Sequence, residues 1–228
     1  MHVYELAVDS AYRSLDFATD GEPLRIDHNL FAEPGPIGDR WVIREVTDYD
    51  DSDELEDDCC EADLAPYERE QPDLERKMGD FPHFWGGGMG LLSQRAYAAL
   101  HDLLQNSVEF LPLTSKWGNF YALKVHRIVD ALNVSESKIE WDAQLKRDAG
   151  KPRIAHRILK HAFHEDRLAE ETIFQIPQKP FHLYFYVTDR FVRVVEEQKL
   201  EGFKFTQVWP PIDERAHFLE RRRKKTGH

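Results

Sequence analysis

Cysteine is scarce in this chain of 228 residues, which has two, adjacent at Cys59 and Cys60. Neighbouring cysteines can form nothing beyond a strained vicinal bridge, so the chain is not a small disulfide-held scaffold, and a reducing compartment fits best. Both thiols lie among carboxylates, which raise the pKa of a thiol and disfavour the reactive thiolate. We therefore do not expect a catalytic cysteine.

Long apolar runs are also missing. No run approaches the roughly 18 residues that suggest a membrane span, and the first ten residues lack the basic and apolar regions of a signal peptide. We expect a cytoplasmic protein with no membrane partner. Hydrophobic residues make up 41% and aromatic residues 12% of the chain, so most of its length should fold around a sizeable core.

Basic residues are few in the first part of the chain. Residues 1–80 contain 7 Lys and Arg against 24 Asp and Glu, a net charge of -17, whereas residues 81–228 contain 23 against 18, a net charge of +5. The acidic part would repel phosphates, so we expect no nucleic-acid partner. It favours either a basic partner or an internal contact with the basic half.

Recognisable catalytic and cofactor motifs are missing too. The run Gly86–Gly90 precedes a helix, where phosphates can bind, but it has neither P-loop nor dinucleotide-fingerprint spacing, and a hinge or a close backbone approach is favoured. His156, His161 and His164 lie close in sequence, and the last two would share a face if Ile154–Leu168 is a helix. No second ligand motif accompanies them, so a polar or interface face is favoured over a metal site. The alternative is a metal- or phosphate-binding enzyme that uses both segments.

The order of segments predicts the fold class. Strands joined by short links, with helices set aside, indicate an α+β fold of mostly antiparallel strands with a few packed helices. Strands are expected at residues 2–9, 14–18, 41–46, 108–111, 171–176, 183–187 and 203–209, with loop over 20–40. The predicted organisation is an acidic N-terminal region with short strands and a mobile acidic loop (1–80), an α+β domain (81–211) and a basic polar tail (212–228).

Local signals place the first helix and the two strands after it. Ser93 is a good N-cap for a helix that runs to about Leu104. Pro112 is expected to end the next strand, because proline cannot donate to a sheet ladder. In the strand from Tyr121, apolar residues alternate with Ala122, Lys124 and His126, which predicts a single buried face. The apolar face of the helix is expected to comprise Tyr97, Leu100, Leu103 and Leu104.

A second helix is expected after Thr188, with Gly202 as its left-handed stop. Phe191, Val194 and Val195 should point inward. The closing strand should then run to the two prolines that follow it.

The segment from Asp48 to Asp63 is strongly acidic, with 10 of its 16 residues Asp or Glu. It is interpreted as a solvated loop, as a partner of the basic run Arg221–Lys225, or as a docking surface for a basic protein. A docking surface would raise the association rate through electrostatic steering, and salt would reduce the gain. The predicted partner-binding residues are Tyr49, Asp50, Asp51, Asp53, Glu54, Glu56, Asp57, Asp58 and Glu61, with Tyr67 as a further aromatic anchor.

A series of short motifs follows in the second half, over roughly residues 85–209. They are Leu92-Ser93, Glu109-Phe110-Leu111-Pro112-Leu113, Tyr121, Val129-Asp130-Ala131-Leu132, a serine at 135 or 137, Ile173-Phe174, Val187-Thr188 and Leu200-Glu201-Gly202-Phe203-Lys204-Phe205. Their order and spacing resemble the Imm11 immunity-protein family of bacterial polymorphic toxin systems, formerly a domain of unknown function.

The resemblance implies a non-enzymatic cytosolic protein, encoded beside a toxin, that binds the cognate toxin and neutralises it in bacterial competition. It carries over no catalytic residue, metal or cofactor. The acidic segment is not among the matching motifs, so its docking role is inferred from charge alone. A general protein-interaction module with another partner is a further alternative.

Overall fold

The computed structural model describes residues 1–12, 14–17, 24–26, 43–45, 63–66, 77–84, 90–115, 118–142, 152–179 and 185–211. Within these ranges the chain forms fourteen strands and two α-helices. Most strand pairs are antiparallel and the helices lie apart from the strand succession, which confirms the predicted α+β class.

A four-stranded antiparallel sheet joins the two ends of the described chain. Its order is β12 (Ile173–Phe174), β13 (Phe185–Thr188), β1 (Val3–Val8) and β14 (Phe203–Trp209). The first strand is thus central, with Leu6 opposite Phe185 on one side and Phe205 on the other. All four strands were predicted from sequence, but their arrangement was not.

Two helices cover one face of this sheet: α1 (Gln94–Leu104) and α2 (Asp189–Glu197). Alternation in β1 sends Tyr4, Leu6 and Val8 to this face, where they pack in the same core as the buried helix residues. The predicted cap of α1 is confirmed, since the backbone N–H of Ala96 donates to Ser93 Oγ at 3.1 Å. Neither helix in the described part of the chain has the length and apolarity needed to cross a membrane.

Two details of α2 differ from the prediction. Thr188 precedes the helix, but its hydroxyl donates to the carbonyl oxygen of Glu171 at 2.8 Å instead of accepting from the helix. The left-handed residue after the helix is Lys199, with φ of 50°, not Gly202. Gly202 has φ of 89° at the start of β14, where an added Cβ would lie 3.1 Å from the carbonyl oxygen of Phe81. Glycine is required there because φ is positive and because the backbone of Phe81 lies too close for a side chain.

The opposite face of the sheet carries a second hydrophobic core, which includes Val3, Phe163, Phe174 and Tyr186. A two-stranded ribbon, β10 (Lys138–Trp141) and β11 (Ala155–Lys160), packs on this second core. The segment Ile154–Leu168, whose sequence left a helix open, is not an α-helix, since it forms β11 and a 3-10 turn at Glu165–Arg167. Ile158 pairs with Ile139 across the ribbon, and both pack on the second core. Strand pairing and burial therefore override the helix-like spacing of the apolar residues.

The remaining strands form a six-stranded sheet and a separate pair. The six are β6 (His83–Phe84), β2 (Ser14–Phe17), β5 (Asp63–Pro66), β8 (Val108–Ser115), β9 (Phe120–Val125) and β7 (Gly90–Ser93), in that order, and the pair is β3 (Leu24–Ile26) with β4 (Ile43–Glu45). The predicted strands near 14–18 and 41–46 are confirmed. The expectation of loop throughout 20–40 is wrong at β3.

Strands β8 and β9 correct two further predictions. Pro112 does not end β8, which continues to Ser115. Pro112 pairs with Tyr121 of β9, while pairing with β5 begins only at Thr114, so the missing N–H can face an unpaired stretch of strand. Strand β9 is buried on both faces, with Ala122 and Lys124 as enclosed as Leu123, so the prediction of a single buried face is wrong.

Candidate functional site

The predicted docking residues fall outside the part of the chain that the structure describes. This holds for Tyr49, Asp50, Asp51, Asp53, Glu54, Glu56, Asp57, Asp58 and Glu61. It also holds for Tyr67, for Cys59-Cys60, for the basic run at 221–225 and for the glycine run except Gly90. Their roles stay predictions. Gly90 itself begins β7, where an added Cβ would lie 2.9 Å from the ring of Phe81.

The three clustered histidines do not converge. His156 is exposed on β11, His161 is buried after that strand, and His164 precedes the 3-10 turn. The shared helix face expected for the last two is wrong, because this segment contains no α-helix. Among the described residues, no group of three or more His, Cys, Asp or Glu is arranged to hold a metal ion.

His161 instead belongs to a buried polar cluster with Glu5, Lys179 and Tyr186, on the sheet face opposite the helices. Its Nε2 lies 3.1 Å from the hydroxyl of Tyr186 and 3.6 Å from a carboxylate oxygen of Glu5. The ammonium group of Lys179 donates to the carbonyl oxygen of His156 at 3.3 Å. The cluster thus connects four segments of the chain. Glu5 belongs to β1 and Tyr186 to β13, while His161 follows β11 and Lys179 lies in the turn after β12.

Burial dominates the electrostatics of this cluster. It lowers the pKa of His161 to about 4, and the nearby charge of Lys179 acts in the same direction. Burial also raises the pKa of Glu5 and lowers that of Lys179, although each group's charge partly offsets the shift of the other. His161 is therefore a neutral imidazole at pH 7. Tyr186 is fully buried and His161 is 6% exposed, whereas the side chain of Glu5 is 41% exposed, so the cluster reaches the surface at Glu5 alone among the residues named. The arrangement suits a structural role.

A second group of interest lies at the surface, and we call it the aromatic surface. It consists of Tyr97 and His101 on α1, Phe110 on β8 and Tyr121 on β9, all of them half-buried. The rings of Tyr97 and Tyr121 stack with centroids 3.7 Å apart and planes 10° apart. Phe110 meets Tyr97 edge-on at 5.2 Å, and His101 lies 5.0 Å from Tyr97.

Sequence reasoning assigned Tyr97 and Tyr121 to buried faces and so missed this surface. Tyr97 is partly buried at the margin of the core. Tyr121, also half-buried, pairs with Leu92 of β7, and that strand leads directly into α1, so the two tyrosines lie close together. The hydroxyl of Tyr121 donates to Gln94 Oε1 at 2.8 Å, which fixes the ring against the first turn of the helix. The i, i+4 spacing of Tyr97 and His101 was the available signal, since such residues share a helix face.

The rim of the aromatic surface carries an exposed acid. Asp102 follows His101 on α1, its side chain is 98% exposed, and its carboxylate lies 3.0 Å from Nδ1 of His101. Pro112 of β8 is exposed as well and pairs with Tyr121. The surface therefore combines aromatic rings with a solvated negative charge.

The position of α1 depends on Asp80. Its carboxylate, 10% exposed, accepts from Ser93 Oγ at 2.7 Å, from Arg95 Nε at 3.1 Å and from the backbone N–H of Glu201 at 2.8 Å. Arg95 also donates to the carbonyl oxygen of Lys199, at the end of α2. Burial raises the pKa of Asp80, but these hydrogen bonds outweigh it and leave the pKa below its ordinary value.

These features define an α+β protein whose described surface includes a patch of stacked aromatic side chains. A model of the immunity protein family Imm11 matches residues 40–209, which is 170 of the 228 residues. The chain belongs to the Imm11 immunity protein family, as its motif order predicted. The match starts well before the first of those motifs and includes the acidic segment. A search among curated proteins found no match to the chain.

Proposed function

We propose that this chain binds a cognate bacterial toxin domain and neutralises it by covering its active site or its route to substrate. The observation that carries the proposal is the Imm11 match over residues 40–209, since that family consists of immunity proteins. In this proposal the chain acts by binding, without catalysis and without a cofactor.

The acidic segment is the proposed docking surface, for a toxin that is basic, as a nuclease often is. Ten carboxylates within Asp48–Asp63 would steer a basic domain and would oppose wrong, acidic partners. Tyr49 and Tyr67 would anchor the contact, because tight interfaces concentrate their energy in a few aromatic residues. The acidic segment lies within the range of the family match, and the assignment itself rests on its charge.

Co-expression tests the proposed function directly. Cells would express the toxin domain encoded beside this chain, with and without the chain itself. We expect the chain to restore growth and to elute with the toxin domain in gel filtration. Unchanged toxicity together with separate elution would reject the proposal.

Charge neutralisation tests the docking surface. Asn or Gln would replace Asp50, Asp51, Asp53, Glu54, Glu56, Asp57 and Asp58. We expect the association rate at low salt to fall about tenfold or more, and its salt dependence to flatten, because steering is lost.

A matched control separates local from global charge. It neutralises seven exposed carboxylates elsewhere: Glu136, Glu140, Glu165, Asp166, Glu170, Glu196 and Glu197. Both variants have the same net charge, so a larger loss in the acidic-segment variant locates the docking surface. Equal losses, or none, would remove the acidic segment from the proposed interface.

A further inference from the structure

The aromatic surface is arranged in advance for binding. Tyr121 is held by its stack on Tyr97 and by its hydrogen bond to Gln94, and Phe110 supports the stack edge-on. Side chains already held in one rotamer lose little freedom when a partner binds, which lowers the entropic cost of association. Tyrosine also provides a large contact area at low entropic cost, as in antibody binding loops.

The electrostatics of the aromatic surface indicate the chemistry of its partner. Aromatic ring faces carry partial negative charge and attract cations within about 6 Å of their centroids. Asp102 adds a full negative charge at the rim, in solvent and within reach of an approaching side chain. The same chain shows such a contact elsewhere, where the guanidinium of Arg153 lies 4.7 Å from the ring centre of Trp141.

We infer that the aromatic surface is a second toxin contact, where a lysine or arginine side chain of the toxin lies against the face of the Tyr121 ring that is turned away from Tyr97, with Asp102 at the rim. The inference rests on the proposed function and adds to it a recognised group and a position in the fold. It is independent of the acidic segment, because it comes from α1, β8 and β9 alone. Ring faces and a carboxylate together favour a cationic side chain over an apolar one.

The test compares toxin affinity between two substitutions of one residue. Tyr121→Leu keeps an apolar side chain but removes the ring face, and we expect the Kd to rise about 5- to 30-fold. Tyr121→Phe keeps the ring and loses only the hydroxyl, so we expect a change below about 2-fold. Trp141→Leu is the matched control, since it removes a half-buried aromatic ring from the ribbon instead, and it should bind like the wild type.

Asp102→Asn provides the charge arm of the test. We expect its association rate at low salt to fall about 2- to 5-fold, whereas Asp166→Asn, another exposed carboxylate, should leave the rate unchanged. Thermal unfolding of each variant checks that the fold is intact. Tyr121→Phe, which keeps the ring, is the reference for the affinity of Tyr121→Leu.

The outcomes separate this inference from the proposed function. If the wild type does not bind the toxin domain, both are overturned. If the wild type binds and Tyr121→Leu binds equally well, an apolar side chain suffices and the cationic contact is overturned alone. Equal losses in the Leu and Phe variants would also overturn it, because the hydroxyl rather than the ring face would then be the recognised feature.

Discussion

His161 shows how tertiary surroundings change one side chain. Histidine ordinarily titrates near pH 6.5, but here the ring is enclosed by Tyr186 of β13, Glu5 of β1 and Lys179 of the turn after β12. Burial disfavours the imidazolium, and the ammonium group of Lys179 disfavours it further. The sequence shows three neighbouring histidines that look alike. His161 differs from His156 and His164 in being buried, and this burial results from the packing of the ribbon on the sheet.

The lowered pKa predicts acid sensitivity. Because the unfolded state takes up a proton near pH 6.5 and the folded state only near pH 4, stability should fall as the pH drops between those values. The full effect is about 3 kcal/mol of unfolding free energy. His161→Gln should be less stable than the wild type at pH 7 but should show a flatter pH dependence, measured by denaturant unfolding across this window.

Neighbouring groups provide the check on that prediction. Glu5 has a raised pKa, so its protonation as the pH falls partly stabilises the fold, but it is present in both proteins and largely cancels in their difference. His156→Gln removes an exposed histidine of β11 and is the control for histidine replacement itself. Parallel slopes for the wild type and His161→Gln would contradict the account.

At the scale of elements, a single carboxylate connects the two helices. Asp80 receives hydrogen bonds from the cap of α1, from Arg95 in its first turn and from the backbone just after α2. Local sequence signals predicted both helices correctly. They did not reveal this link, because Asp80 and Glu201 are separated by 121 positions.

Removal of this carboxylate should loosen the helix layer. We expect Asp80→Ala to lower the free energy of unfolding by about 2–4 kcal/mol, because it leaves buried donors unsatisfied and removes the acceptor of Arg95. Asp102→Ala removes an exposed carboxylate from α1 and should change the value by less than about 0.5 kcal/mol. Chemical denaturation of the two variants makes the comparison, and similar small losses in both would show that the link is weak.

At the scale of the whole molecule, the first strand joins residues that are far apart in sequence, because it is central in the four-stranded sheet. β1 lies between β13 and β14, so residues near the N-terminus complete a sheet built otherwise from residues 173–209. The predicted boundary between residues 80 and 81 stays a prediction about independent folding. The pairing of β1 leads us to expect that the second half does not fold well by itself.

Truncation tests this expectation. A fragment of residues 81–211 lacks the central strand, and β13 and β14 would lose their common partner and its buried side chains. We expect non-cooperative thermal unfolding, whereas a fragment of residues 1–211 should unfold cooperatively like the full chain. If the shorter fragment unfolds cooperatively at the same temperature as the full chain, residues 81–211 are an independent domain.

The predictability of each feature depends on the range of the interactions behind it. The cap at Ser93 and the closing strand before Pro210 come from neighbouring residues, and both appear in the structure as predicted. The strand end at Pro112 was predicted wrongly and the segment that forms β11 was left ambiguous, because both depend on pairing with other segments of the chain. The aromatic surface belongs to the same class, since Tyr97 and Tyr121 meet only through the register of β7 on β9.

Local spacing and motif order were enough to predict the α+β class, the cap at Ser93, most strand positions and membership of the Imm11 family. The tertiary structure alone decided that β1 is central, that His161 is buried and neutral, and that two tyrosines stack at the surface beside an exposed acid. The physical reason is that periodicity along a chain shows which residues share a face. The burial and partners of that face depend on segments that are distant in sequence.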